Sequence, residues 1–229
     1  MKYTTISAST FFEDLDLSKN IFKKTKKDSK TEHFTDDEVR KIMDYISDNL
    51  TIRNLAIKLC FQTGVRIGEL AALRPEDINY QEKTLHIQRT ESTCKDANGK
   101  SAVEVSNYPK TDESDRYIII TDSCIETIRR IRLMNMKGEY LFQENKKRIR
   151  SNALRRALYR IFDKVGIPRR SPHSIRRTYA STLLDNHTDE CLVKNQMGHT
   201  DITTTHKYYQ FCLRNNAEQR EQILSAINY

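Results

Sequence analysis

Apolar positions recur along most of the chain at helical spacing, and one interval breaks that rhythm. Thr35 and Glu38 form a Thr-x-x-Glu capping box, which predicts a helix over about residues 36–48. A second helix follows, with Ile52, Leu55, Ala56 and Leu59 on one stripe and a stop near Gly64. From Thr84 the pattern becomes β-branched. "TLHIQRT", "SAVEVSNY" and "DRYIIIT" predict three strands, with the turn pair Asn98-Gly99 between the first two and Lys110 in the connection before the third. Helical spacing then returns, with Ile125, Ile128 and Ile131 on one helix and Leu154, Leu158, Ile161 and Val165 on another. The expectation is an α+β fold, mostly helical, with one small three-stranded antiparallel sheet and no internal repeat.

The two ends read differently. Residues 1–32 carry five lysines between Lys23 and Lys30 and little periodicity, which predicts a basic arm or interdomain linker. Residues 33–229 read as one domain. It closes on "NNAEQREQILSAINY", whose Ile223, Leu224 and Ile227 share one side and predict a tail helix over about residues 213–229. Such a tail either packs on its own domain or docks on a neighbouring protomer.

Composition narrows the class. Hydrophobic residues make up 37% of the 229, and the mean hydropathy is −0.72, as in a soluble globular protein with a charged surface. No apolar run approaches the ~20 residues of a membrane span, and no signal peptide opens the chain. Cys60, Cys94, Cys124, Cys191 and Cys212 are scattered with neither C-x-x-C nor zinc-finger spacing, which points to reduced thiols and the cytoplasm. Net charge is +8, but Lys146 to Arg177 alone holds twelve Lys or Arg against one acid, Asp163, so 12 − 1 = +11 sits there and the remainder sums to −3. An excess confined to one segment points to a polyanion surface.

Four stretches resist explanation by packing. "TGVRIGEL" places Arg66 just after a helix-ending glycine, with Glu69 three residues on. "YPKTDESDR" puts Lys110 in a hairpin connection. "HSIRRTYAS" sets His173 and Arg176 at i and i+3 on one helix face, just after Pro172, where a helix start favours an anion. "MGHTDITTTHKYY" places His199 after Gly198 and Tyr208 nine residues later. Taken singly, each is open to a plain surface reading. A metal site from His199, His206, Cys191 and Cys212 is disfavoured, since residues seven apart on a helix lie about 10 Å apart along its axis.

Together, and in this order, the four stretches resemble the motifs of the tyrosine recombinase family, the phage-integrase-like enzymes. The family's first arginine falls on Arg66, with Glu69 in support. Its hairpin lysine, in a K-T-x-x-S-x-R setting, falls on Lys110, its H-x-x-R pair on His173 and Arg176, and its L-G-H histidine on His199, where Met197 replaces the leucine. Its nucleophile falls on Tyr208. The resemblance runs from about Thr35 to Gln210 and implies the catalytic-domain fold of that family. The family's usual N-terminal DNA-binding domain has no room here, so an isolated catalytic domain, from a mobile-element integrase, is expected.

The resemblance implies a site-specific DNA recombinase that cuts and rejoins strands through a 3′-phosphotyrosine, with no metal, ATP or other cofactor. The residue types suit that chemistry. Arg66 and Arg176 are permanently charged forks for the nonbridging oxygens of a phosphodiester. His199, and His173 in part, add donors. A tyrosine hydroxyl, with an ordinary pKa of about 10, needs a base such as His173, and the 5′-hydroxyl leaving group needs an acid such as Lys110. Tyr209 points about 100° away from Tyr208 on a helix, so it is expected to pack instead. Lys146, Lys147, Arg148, Arg150, Arg155, Arg156, Arg169, Arg170 and Arg177 are candidate contacts to DNA. The expected partners are double-stranded DNA and further copies in a tetramer, with no membrane, in the cytoplasm with the chromosome. Two alternatives stay open: a type IB topoisomerase-like relaxing enzyme, and a DNA-binding module without catalysis.

Overall fold

The computed structural model describes residues 33–95, 99–107, 115–198, 220–221, 223–225 and 227, all within the unit Glu32–Tyr229. Helix α1 (Asp36–Asp48) opens on the expected capping box: the Thr35 hydroxyl accepts from the Glu38 amide at 3.3 Å, and the Glu38 carboxylate accepts from the Thr35 amide at 2.9 Å. Helix α2 (Ile52–Thr63) is the central element. It packs against α4 (Asp122–Met134), α5 (Ser151–Val165) and α6 (Pro172–Asp185), which is why Leu55 through Thr63 are buried almost all round except at Lys58. It ends at Gly64, whose φ of +64° makes the left-handed turn that sends the chain into α3 (Ile67–Ala72).

The sheet differs from the expectation. A three-stranded antiparallel sheet exists, but its strands are β1 (Ile78–Asn79), β2 (Thr84–Ile87) and β5 (Arg116–Ile119). The expected strand "TLHIQRT" breaks at Gln88. After the break, among the described residues β3 (Arg89–Lys95) pairs only with β4 (Ser101–Asn107), as a separate ribbon. The reason is visible along the strand. Leu85 and Ile87 give β2 a buried face, whereas Arg89, Thr90, Glu91, Ser92 and Thr93 offer no apolar side to bury. A two-residue hairpin, β6 (Gln143–Glu144) with β7 (Lys147–Arg148), leads into α5.

Helix α5 is amphipathic as expected: Leu154, Leu158, Ile161 and Phe162 are buried, while Arg155, Arg156, Arg160 and Lys164 are exposed. Helix α7 (Glu190–Met197) packs on α6 and on β5. Residues 220, 221 and 223–225 are helical. Ile223 and Ile227 are buried, and Ile227 joins Tyr179, Leu183, Val193 and Met197 in a small second core. Arg220 donates to the Glu82 carbonyl. The described part of the tail thus packs on its own domain. None of the helices formed by the described residues is long and apolar enough to cross a membrane.

Candidate active site

Three chain segments meet beside Gly64. The first is the Gly64–Arg66 turn, which sets Arg66 as the residue capping α3. Its amide donates to Glu69 Oε2 at 2.8 Å, so the carboxylate satisfies one free N–H of that helix start. Arg66 Nη1 donates to Glu69 Oε1 at 2.8 Å and Nη2 to the Gly198 carbonyl at 3.1 Å, while the side chain stays 42% exposed. The second segment is the start of α6. Pro172 occupies the first helical turn, where its missing N–H costs nothing, and His173 follows it. One turn on, Arg176 is buried and donates to the carbonyls of Gly64, at 3.0 Å, and Met197. The third segment is the end of α7, which supplies the Met197 and Gly198 carbonyls.

Packing explains why these segments converge. A Cβ at Gly64 would lie 2.4 Å from Tyr179 Cδ1, so the turn closes directly on the α6 ring. Tyr179 Oη accepts from Gln196 Nε2 at 3.1 Å, and the same amide pairs with the β5 backbone, donating to Ile119 O at 2.9 Å and accepting from Ile119 N at 3.0 Å. The end of α7 is thereby stitched to β5.

A cleft of about 470 Å³ opens over this junction, lined by Arg66, Arg155, Tyr159, His173 and Arg176. The structure therefore brings Arg66, His173 and Arg176 together, as the sequence motifs predict, and adds Arg155 from α5. Lys110, His199 and Tyr208 lie outside the described residues, as do His206, Tyr209 and Cys212. Among the described residues, no cluster of three or more His, Cys, Asp or Glu could hold a metal ion.

The electrostatics suit an anion. Burial pushes the Arg176 guanidinium down to about 10, helped by the like charges of Arg66 and Arg116 and opposed by Glu69. It stays protonated at neutral pH, and its Nε is buried without a partner. An anion in the adjoining cleft would offset the mutual repulsion of these guanidiniums. Glu69 is the counterweight. Burial alone would raise its pKa, but hydrogen bonds and charge from Arg116, with hydrogen bonds from Arg66, hold it at about 2. Arg116 is the residue that sequence reasoning missed. It closes the K-T-x-x-S-x-R motif, so its place was visible, but nothing in the spacing shows that its side chain is buried against Glu69.

The basic residues divide. Lys146, Lys147, Arg150, Arg155 and Arg156 are exposed, and all but Lys146 line an open groove of about 1020 Å³ between α3, the β3–β4 ribbon and α5. Others have internal partners. Arg148 pairs with Glu91 and lies 5.3 Å from the Tyr140 ring centre. Arg170 pairs with Glu38 at 2.9 Å and lies over Phe34. Arg169 forks onto Asp163 at 2.8 and 2.6 Å in the open, and Arg177 is half-buried. Glu91 also accepts from the Ser151 amide at 3.0 Å and hydroxyl at 2.7 Å, tying the ribbon to the start of α5.

The chain is similar to known proteins. A XerC-like tyrosine recombinase of Caldanaerobacter subterraneus subsp. tengcongensis is 29% identical over 200 residues, covering 80% of this chain and 51% of that protein. The XerA tyrosine recombinase of Pyrococcus furiosus is 25% identical over 193 residues, covering 82% of this chain and 60% of its own length. The chain thus spans between about half and three-fifths of these relatives. The Tn1549 transposon integrase, solved in complex with transposon right-end DNA, superposes with a TM-score of 0.65 over 84% of this chain and 65% of that one, at 19% identity. The model of the phage integrase family matches residues 32–212, a span that holds every motif described above, and the chain belongs to that family.

Proposed function

We propose that residues 33–229 are the catalytic domain of a site-specific DNA recombinase, with residues 1–32 a basic linker. One observation carries the reading: two arginines, one of them buried with an unpartnered N–H, share a cleft with a histidine at a helix start. Arg66 and Arg176 grip the nonbridging oxygens of one phosphodiester. As charge builds on those oxygens, each prearranged donor is worth roughly 3 to 4 kcal/mol. His199, next to the Gly198 carbonyl that Arg66 holds, adds a further donor.

Tyr208 attacks the phosphorus while His173 takes its proton, and Lys110 protonates the departing 5′-oxygen. A 3′-phosphotyrosine and a free 5′-hydroxyl result. Because the new phosphotyrosyl ester keeps the energy of the phosphodiester it replaces, attack by a 5′-hydroxyl releases the tyrosine and rejoins strands without ATP. Exchange between two duplexes requires four such cuts, one tyrosine each, hence a tetramer on DNA. The exposed cations of the groove hold the duplex backbone. The Tn1549 likeness supports a mobile-element integrase, acting in the cytoplasm with the chromosome.

The test is a nicked duplex that traps the covalent intermediate by losing the 5′-end. The wild-type chain should form a protein–DNA adduct and Tyr208→Phe none, whereas Tyr209→Phe should retain it. An adduct with Tyr208→Phe would sink the assignment.

A further inference from the structure

We infer that Arg116 is a positioning residue of this site: it holds the Glu69 charge so that the Arg66 guanidinium stays available to a phosphate. The inference rests on the recombinase reading and deepens it.

Glu69 is fully buried, and a carboxylate in that position requires a cation. Two guanidiniums reach it unequally. Arg116, only 7% exposed, uses both terminal nitrogens, Nη1 to Oε1 at 3.2 Å and Nη2 to Oε2 at 2.9 Å. Arg66 gives Nη1 to Glu69 and Nη2 to the Gly198 carbonyl, yet its side chain stays 42% exposed beside the cleft, with protons left on both nitrogens. The buried fork is thus the partner that balances the carboxylate, and the exposed one is steered by it without being consumed. Three guanidinium charges, Arg66, Arg116 and Arg176, less one carboxylate leave +2 at the junction. Without Arg116 the sum is +1, and Glu69 would draw the Arg66 fork off the cleft and onto itself.

Arg116 also touches the backbone that leads to the remaining motifs. Its Nε donates to the Gln196 carbonyl at 3.2 Å. A Cβ at Gly198 would lie 2.8 to 2.9 Å from its Nη1, Cδ and Cζ, so the guanidinium lies directly beneath the residue preceding His199. Arg116 opens β5, six residues after Lys110. One side chain of β5 therefore touches both the Glu69 that holds Arg66 and the end of α7.

The alternative is an ordinary ion pair that only stabilises the fold. The experiment separates the two on the full chain, using a pool of nicked duplexes with a randomised core. It follows the rate of covalent joining, the affinity for the same pool and the melting temperature. Arg116→Gln should bind the pool within about twofold of wild type and join about 10²-fold more slowly. Adding Arg116→Gln to Arg66→Ala should cost nothing further, because the effect runs through Arg66. The Glu69→Gln/Arg116→Gln pair removes both members of the buried fork together, so it reports even if Arg116→Gln alone folds poorly. It should recover to within about tenfold of wild type. Wild-type joining by Arg116→Gln, losses that multiply with Arg66→Ala, or a neutral pair as slow as Arg116→Gln would each overturn the inference. If wild type itself forms no adduct, the recombinase reading falls first and takes this inference with it.

Discussion

Arg66 Nη2 donates to the Gly198 carbonyl at 3.1 Å, tying together residues 132 positions apart. The arginine that starts α3 and the turn that leaves α7 are therefore one structural unit, and the charge of the first is set beside the backbone that runs on to His199 and Tyr208.

Arg66→Ala should slow covalent joining of a nicked duplex by about 10² to 10³. Its effect on the melting temperature should be small, because Arg116 still pairs with Glu69. Parallel joining and melting measurements check this, and a large drop in melting with near-normal joining would contradict it.

Lys110→Ala should lose cleavage of ordinary DNA but regain most of it on a substrate whose bridging 5′-oxygen is replaced by sulfur. A thiolate leaves without a proton, so a missing general acid no longer matters. If both substrates stay equally slow, Lys110 has another role.

Glu69 should contribute to the loss of stability in acid. Its ordinary value of 4.5 falls to about 2 in the fold, since the Arg116 and Arg66 hydrogen bonds outweigh burial. A depressed folded value means that the stability it contributes is complete above about pH 4.5 and drains away as pH falls from there to about 2. Glu69→Gln should be less stable at neutral pH by a few kcal/mol and should lose less across that acid window. Urea midpoints measured from neutral pH down to about pH 3 give the comparison.

Gly64 and Gly166 both have positive φ, +64° and +71°, but only Gly64 faces an obstruction. Gly166→Ala should cost about 1 kcal/mol, the left-handed penalty alone. Gly64→Ala should cost clearly more, because its Cβ meets Tyr179, and it should slow joining by shifting the carbonyl that Arg176 holds. Denaturant unfolding of the two variants measures the difference.

The basic segment should split in the same way. Arg155→Ala and Arg156→Ala, at exposed cleft and groove positions, should each lower the slope of log affinity against log salt by about 1. Arg170→Ala should leave that slope alone and lower stability, since its charge is spent on Glu38. Binding titrations at several salt concentrations, set beside melting curves, test the division.

Much of this was legible along the chain, because helices α1, α2, α4 and α5 are local objects. Caps such as Thr35 with Glu38, a left-handed stop at Gly64 and apolar stripes at helical spacing depend on neighbours within one or two turns. The motif set likewise named Arg66, His173 and Arg176 before any geometry, since their types and order carry the chemistry. Long-range pairing was not legible. Whether "TLHIQRT" continues as one strand or changes partner at Gln88 depends on which surface lies opposite. The internal duties of Arg116, Arg148 and Arg170 were equally hidden, since nothing in their spacing marks them as partners of buried or half-buried carboxylates. A guanidinium's function follows from whether a buried carboxylate or an open cleft faces it, and only the tertiary structure puts Glu69, Glu91 and Glu38 where they decide that.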